Sequence, residues 1–243
     1  AVSIAALPLA ADTKPAQPND FIEIFAKLSG DHKGMSKNHA KGICAVGDFT
    51  ASQAGTDYFA ADVFSGKTLP VVYRFSLPGG NPMIPDNARA PRGFAAQFSL
   101  PDGSKHNIAT LNVPVFAAKD PDTFLGLLQA SAPATDGKPD MAKLTAFKAA
   151  HPDTKPLEQW LGSHQPPYSY ATAEYFGIHT FYIRGKNGEQ TKVRFQLKPQ
   201  DGIKGLTDAE LADKNGDFLS QRLTERLQQG PVSFDWVVSF GQP

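Results

Sequence analysis

The chain has 243 residues, enough for one large barrel-type domain or two small ones, and its 24 basic and 24 acidic side chains cancel. No run of five like charges occurs, so the charge pattern offers no case for nucleic acid or an anionic membrane surface, and a small, roughly neutral partner is expected. The 17 Phe, 20 Pro and 21 Gly suit strands and ordered loops around an apolar cavity, while a single cysteine, Cys44, excludes an intramolecular disulfide and a thiolate metal cluster.

The chain opens with AVSIAALPLAADTKPAQPND, a short apolar run with small residues from Ala6 to Ala11 and then a Pro-rich spacer. Read as the remnant of an export signal, an arm over residues 1–18, it predicts a periplasmic or secreted protein. No stretch reaches the ~18 apolar residues of a membrane span. Asn19 or Asp20 is expected to cap a helix through FIEIFAKLSG, with Phe21, Ile24, Phe25 and Leu28 on one face and Gly30 at its end. A strand follows from Ile43, small on one side at Ala45 and Gly47. In LPVVYRFSL, Val71, Tyr73, Phe75 and Leu77 point one way and Arg74 and Ser76 the other, so a buried arginine beside a hydroxyl needs a partner.

RGFAAQFSL reads as a third strand, and a Pro-Asp-Gly turn leads into HNIATLN as a fourth. Residues 121–165 switch to helical periodicity in DTFLGLLQA, MAKLTAFKAA and LEQWLGSH. Strands return in IHTFYIRG and TKVRFQLKP around a Lys-Asn-Gly turn. A helix broken near Gly216 comes next, and PVSFDWVVSF ends the pattern as a strand whose apolar run wants a neighbour on each side. The expected architecture is α+β: one antiparallel sheet of about eight strands, closed into a barrel, with inserted and appended helices.

Common catalytic signatures are absent. There is no H-E-x-x-H, no G-x-S-x-G and no Gly-rich phosphate loop, and the six histidines show no ligand spacing. Five blocks nevertheless stand in a telling order between residues 36 and 200: NHAKGICAVGDF, YRFS, NARAPRGFAAQFSLPDGS, LNVPVFAAKDPDTF and GIHTFYIRGKNGE. Together they resemble the haem catalase family, in its shorter catalase-related peroxidase branch.

The resemblance implies a catalase-like barrel over residues 19–243, haem b as the cofactor, and a small peroxide and an external reductant as partners, with self-association open. On matching positions it implies His39 as the distal base above the haem, Ser76 as the hydroxyl meeting its other ring nitrogen, Asn112 as the distal amide and Arg74 as a propionate partner. Phe116 and Phe124 would line the distal side, and His179 would pack near the haem on its proximal side without binding iron. These residue types suit cleavage of a peroxide O–O bond. A neutral imidazole can move a proton from one oxygen to the other, and an amide can steady charge on the departing oxygen without titrating.

Departures from the family pattern are also legible. Ser36 stands where an arginine often helps hold a propionate, with Lys37 beside it; Ala117 replaces a second phenylalanine; Ala90 replaces the acidic residue before Pro-Arg-Gly-Phe. A more open pocket is expected, favouring bulkier donors or organic peroxides. The family's iron ligand is a tyrosine in an R-x-x-x-Y motif downstream of the barrel, and no tyrosine of this sequence follows an arginine at that spacing. The metal ligand is therefore unassigned, the expectation being that the chain belongs to a longer protein rather than to a haem-deficient relative. Two alternatives stay open: a haem enzyme rearranging fatty-acid hydroperoxides, and a binding barrel that has lost haem.

Overall fold

Alternating apolar and polar residues build most of the sheet in the computed structural model, which describes residues 15–134 and 137–241; residues 1–14, most of the arm read as an export remnant, lie outside that range. Helix α1 (Pro18–Ser29) leads into β1 (Gly42–Phe49), α2 (Gln53–Tyr58) and β2 (Leu69–Ser76). Then come β3 (Gly93–Ser99), β4 (Lys105–Leu111) and the three helices α3 (Pro121–Ser131), α4 (Met141–Ala150) and α5 (Lys155–Ser163). β5 (Tyr175–Phe176), β6 (Phe181–Arg184), β7 (Gln190–Pro199), α6 (Asp208–Ala212), α7 (Phe218–Gln228) and β8 (Phe234–Phe240) complete the order. No helix among the described residues is long and apolar enough to cross a membrane.

The cap of α1 differs from expectation. Gln17 is the N-cap, and Asp20 sits three residues into the helix, where its carboxylate accepts a hydrogen bond from Gln17 N at 2.7 Å. Pro18 explains the shift, since proline lacks an N–H and is favoured in the first turn. Gly30 ends the helix at φ 82°, as its position suggested.

The sheet runs β1-β2-β3-β4-β5-β7-β6, with β8 on β7. β6 and β8 both pair with Val193, so they occupy opposite edges of β7. The sheet curls but does not close by hydrogen bonds: β8 pairs only with β7, and β1 only with β2. The expectation of a strand neighbour on each side of β8 is thus corrected. Its apolar face turns inward instead, and Trp236 meets Phe49 of β1 ring to ring at 5.5 Å. Side-chain burial does the work that a second backbone ladder was expected to do. The core beneath is aromatic, with Phe94 touching the rings of Phe75, Tyr175 and Phe234 at 4.6, 5.1 and 4.9 Å. Each such buried side chain contributes roughly 1.5–3 kcal/mol.

A buried ionic cluster ties the start of β1 to α7. Asp86 is 0 % exposed; its Oδ2 accepts from Leu219 N at 2.8 Å in the first turn of α7, and Lys41 Nζ lies 2.9 Å from its Oδ1. Lys41 also reaches Asp217 at 2.8 Å and donates to the carbonyls of Ile84 and Gly216. Burial works to lower the Lys41 pKa, but the hydrogen bonds and charges of Asp217 and Asp86 outweigh it and raise the value. Arg92, 1 % exposed, is wrapped by its own loop, with its guanidinium donating to the carbonyls of Asp86, Ala88 and Ala90. Backbone oxygen at Ala90 thus meets the arginine directly.

Candidate active site

His39 lies between α1 and β1 and adopts φ 54°, the one positive value at a non-glycine among the described residues. An imidazole-bearing residue enters this left-handed region at a cost of roughly 1–2 kcal/mol, so its surroundings must hold it there. They do so from several sides. Asn38 Oδ1 accepts from His39 N at 2.9 Å and from Gly79 N at 2.6 Å; Ala40 N donates to Gly79 O at 3.0 Å. From β2, Arg74 Nη2 donates to His39 O at 2.7 Å and to Ala40 O at 3.3 Å. The conformation is pinned by two loops and one strand.

His39 Nδ1 is 3.0 Å from Ser76 Oγ, and Ser76 is buried. With the proton on Nδ1 donated to that oxygen, Nε2 keeps its lone pair and can accept a proton. Burial lowers the His39 pKa below 6.5, and the nearby Arg74 cation lowers it further. The imidazole is neutral near pH 7.

Gly93, which carried no signal of its own in the strand pattern, makes this pair possible. It sits opposite Ser76 in the β2–β3 register, and a Cβ there would lie 2.6 Å from Ser76 Oγ and 3.1 Å from the His39 ring. A glycine opening a strand was the available clue. Gly93→Ala should fold, because the barrel core lies on the other face, yet lower peroxide turnover about 10- to 100-fold by displacing the hydroxyl that orients the imidazole. Stopped-flow peroxide consumption measures it, and wild-type rates would refute the assignment.

One pairing beyond Gly93 and Leu111, the chain places Asn112. Its N donates to Arg92 O at 2.9 Å and its Oδ1 accepts from Arg92 N at 2.5 Å, which leaves the Nδ2 hydrogens as donors for a bound oxygen. The buried Arg92 loop therefore fixes the amide. Ser76 and Arg74 contact His39 and Gly93 leaves room for the ring, while Asn112 is held by the backbone of Arg92; Asn38 and Arg92 are supports that the sequence did not single out.

The remaining predicted residues form a neighbouring group, joined to the first through segment 112–116. Phe116, 40 % exposed, packs at 4.9 Å on Phe124 of α3, which stacks at 5.8 Å on Phe21 of α1. His179 is exposed, with its ring 6.5 Å from Phe116 and 6.3 Å from Phe181. Ser36 donates to Asn38 O at 2.7 Å, and Lys37 is engaged by Asp31, so the departure at Ser36 is not made good by its basic neighbour.

The arrangement fits the distal half of a haem site. Arg74 uses Nη2 on backbone carbonyls, leaving the rest of its guanidinium to meet an anion such as a propionate. Gly42 belongs to the same cradle, since a Cβ there would lie 2.9 Å from Arg74 Nη2. Three of the six tyrosines are engaged elsewhere: Tyr73 and Tyr175 donate to carbonyls, and Tyr168 lies beneath Lys204 and Arg222. Among the described residues, no group of three or more His, Cys, Asp or Glu could hold a metal ion.

Residues 20–240 match the Catalase family. A catalase-related peroxidase of Synechococcus elongatus is 43 % identical over 227 residues, covering 93 % of this chain and 67 % of that protein. One from Mycolicibacterium paratuberculosis is 34 % identical over 229 residues, covering 93 % and 72 %. Among solved structures, catalase A from Saccharomyces cerevisiae superposes with a TM-score of 0.77 at 27 % identity, over 87 % of this chain and 45 % of that one. The chain thus spans about two thirds of the first of these peroxidases and less than half of the yeast enzyme. A match from helix α1 to strand β8, with catalase-related peroxidases as relatives over 93 % of the chain, means that the chain belongs to the catalase family, in the haem-dependent catalase-related peroxidase branch.

Proposed function

We propose that the protein reduces hydrogen peroxide or an organic peroxide at the expense of an external donor, with haem b as its cofactor. The contact of Ser76 and Arg74 with His39, whose pKa is lowered by burial and then by the Arg74 charge, carries this reading. When bound, the haem supplies the two-electron redox chemistry of peroxide cleavage. The chain's own residues do the rest. His39 Nε2 takes the proton from the near oxygen of the peroxide and returns it to the far oxygen, which leaves as water or an alcohol. Ser76 fixes the imidazole tautomer, and Asn112 Nδ2 donates to the departing oxygen as charge builds there. Arg74 offers the counter-charge for a propionate, and burial, then the Arg74 charge, lower the His39 pKa.

An external donor is favoured over a second peroxide because the aromatic rim is open. Phe116 is 40 % exposed, and Ala117 beside it leaves no second ring to narrow the approach. Haemin titration should produce a saturable Soret band, and the loaded protein should oxidise a dye faster than it evolves oxygen from the same peroxide. Dominant oxygen evolution would overturn the preference for an external donor; no Soret band after haemin would overturn the haem reading. The lipid-hydroperoxide alternative lacks a supporting observation.

A further inference from the structure

A backbone torsion is held by whatever grips the rigid peptide planes on either side of it. For His39, at φ 54°, those planes are the 38–39 peptide, with Asn38 O and His39 N, and the 39–40 peptide, with His39 O and Ala40 N. The second plane is held from β2 and the turn after it, by Arg74 Nη2 donating to His39 O at 2.7 Å and by Gly79 O accepting from Ala40 N at 3.0 Å. The first is held from within its own loop. Asn38 Oδ1 accepts from His39 N at 2.9 Å, and Ser36 Oγ donates to Asn38 O at 2.7 Å, so side chains engage both polar atoms of that plane.

Asn38 also ties the two planes to one another. Its Oδ1 accepts a second bond, from Gly79 N at 2.6 Å, and Gly79 is the residue whose carbonyl receives Ala40 N. Gly79, itself at φ 89°, thus meets one plane through Asn38 and the other directly. An amide oxygen has two lone pairs, and on a side chain as short as asparagine it can reach neighbouring backbone N–H groups. Gly80 extends the tie to α1, because its N donates to Ser29 Oγ at 3.2 Å. Without the Asn38 oxygen the 38–39 plane can swing, and the His39 φ returns toward the negative values that L-residues prefer. Cβ turns with the backbone, so the ring would leave its 3.0 Å contact with Ser76 Oγ.

We propose that Asn38 is a positioning residue for His39, acting with Ser36 to set the peptide plane that aims the imidazole at Ser76. The role rests on the reading of His39 as the proton-transfer base, and it gives Ser36 a function that needs no charge.

Two readouts on the full-length protein test it. In the haem-free form, in mildly alkaline solution, NMR of histidine labelled at its ring nitrogens should find the wild-type His39 proton on Nδ1. Asn38→Ala should shift that proton toward Nε2, the form a free imidazole prefers. After haemin loading, Asn38→Ala should lower kcat for peroxide reduction about 10- to 100-fold while KM changes less than about threefold. Asn38→Asp, whose carboxylate can accept from both backbone groups, should restore the Nδ1 proton and most of kcat. Ser36→Ala should lower kcat by about two- to fivefold. A merely structural Asn38 would move Tm alone, so an unchanged tautomer and kcat in Asn38→Ala would overturn the proposal, as would an Asn38→Asp variant no better than Asn38→Ala. Normal turnover in His39→Ala removes the base reading instead, and the tautomer in Asn38→Ala still decides whether the residue positions the ring. Should Asn38→Ala fail to fold, the wild-type protein decides. Slow hydrogen exchange at the His39 and Gly79 amides with the proton on Nδ1 supports the clamp, whereas fast exchange at either amide, or a proton on Nε2, rules it out.

Discussion

Replacing His39 by alanine should lower peroxide consumption by about 10²- to 10⁴-fold while haemin still binds with its Soret band. Both halves follow from the geometry. The imidazole is the one base held at the site, positioned by Ser76 at 3.0 Å, whereas the proposed anion contact comes from Arg74 on the adjacent strand. The pH profile tests the same assignment. Burial, and then the Arg74 charge, lower the His39 pKa below its ordinary 6.5, so the neutral base persists into mildly acid solution. The acid limb of turnover should therefore lie below pH 6.5, and Arg74→Met should move it upward. Stability carries the matching sign. Between the folded pKa and 6.5 the unfolded chain binds the extra proton, so stability contributed by His39 is present above pH 6.5 and declines as pH falls through that window. An acid limb above 6.5, or near-normal turnover in His39→Ala, would remove His39 from the role of base.

Asp86→Ala should destabilise the fold by about 3–5 kcal/mol, because it takes the one fully buried carboxylate from Lys41, leaving it the exposed Asp217 and two carbonyls, and strips a carboxylate from the first turn of α7. For a chain of this length that corresponds to a fall in Tm of about 6–20 °C. Asp217→Ala is the control. Its side chain is 71 % exposed, so losing that arm of the cluster should cost about 1 kcal/mol or less. Thermal melts of the two variants would separate them, and equal Tm values would show that the buried carboxylate does not hold the cluster together. Because Lys41 follows His39 by two residues, Asp86→Ala should also loosen the strained loop that carries the histidine.

The local pattern made much of the fold legible. Alternation in LPVVYRFSL is enough to put Arg74 and Ser76 on one face, and they are the two β2 residues that hold His39. The three helices between β4 and β5, the Lys-Asn-Gly hairpin and the break near Gly216 also followed from periodicity and turn chemistry. These features depend on residues close in sequence. The cap of α1 was misplaced by two or three residues, because Pro18 governed the first turn more strongly than the nearby Asn19 and Asp20.

What escaped the sequence depends on partners far away in the chain. Gly93 is decisive only because the register sets it opposite Ser76, and Asp86 only because α7 arrives more than a hundred residues later. Likewise, no periodicity reveals that β1 and β8 approach through Phe49 and Trp236 without sharing hydrogen bonds, leaving a cavity behind the sheet. Local alternation in the sequence was enough to say which strand face Arg74 and Ser76 share, since side-chain direction alternates from one residue to the next. Only the tertiary structure decided that His39 is held in a left-handed conformation beside Ser76, and that the barrel stays open at one seam, because both depend on how distant segments pack.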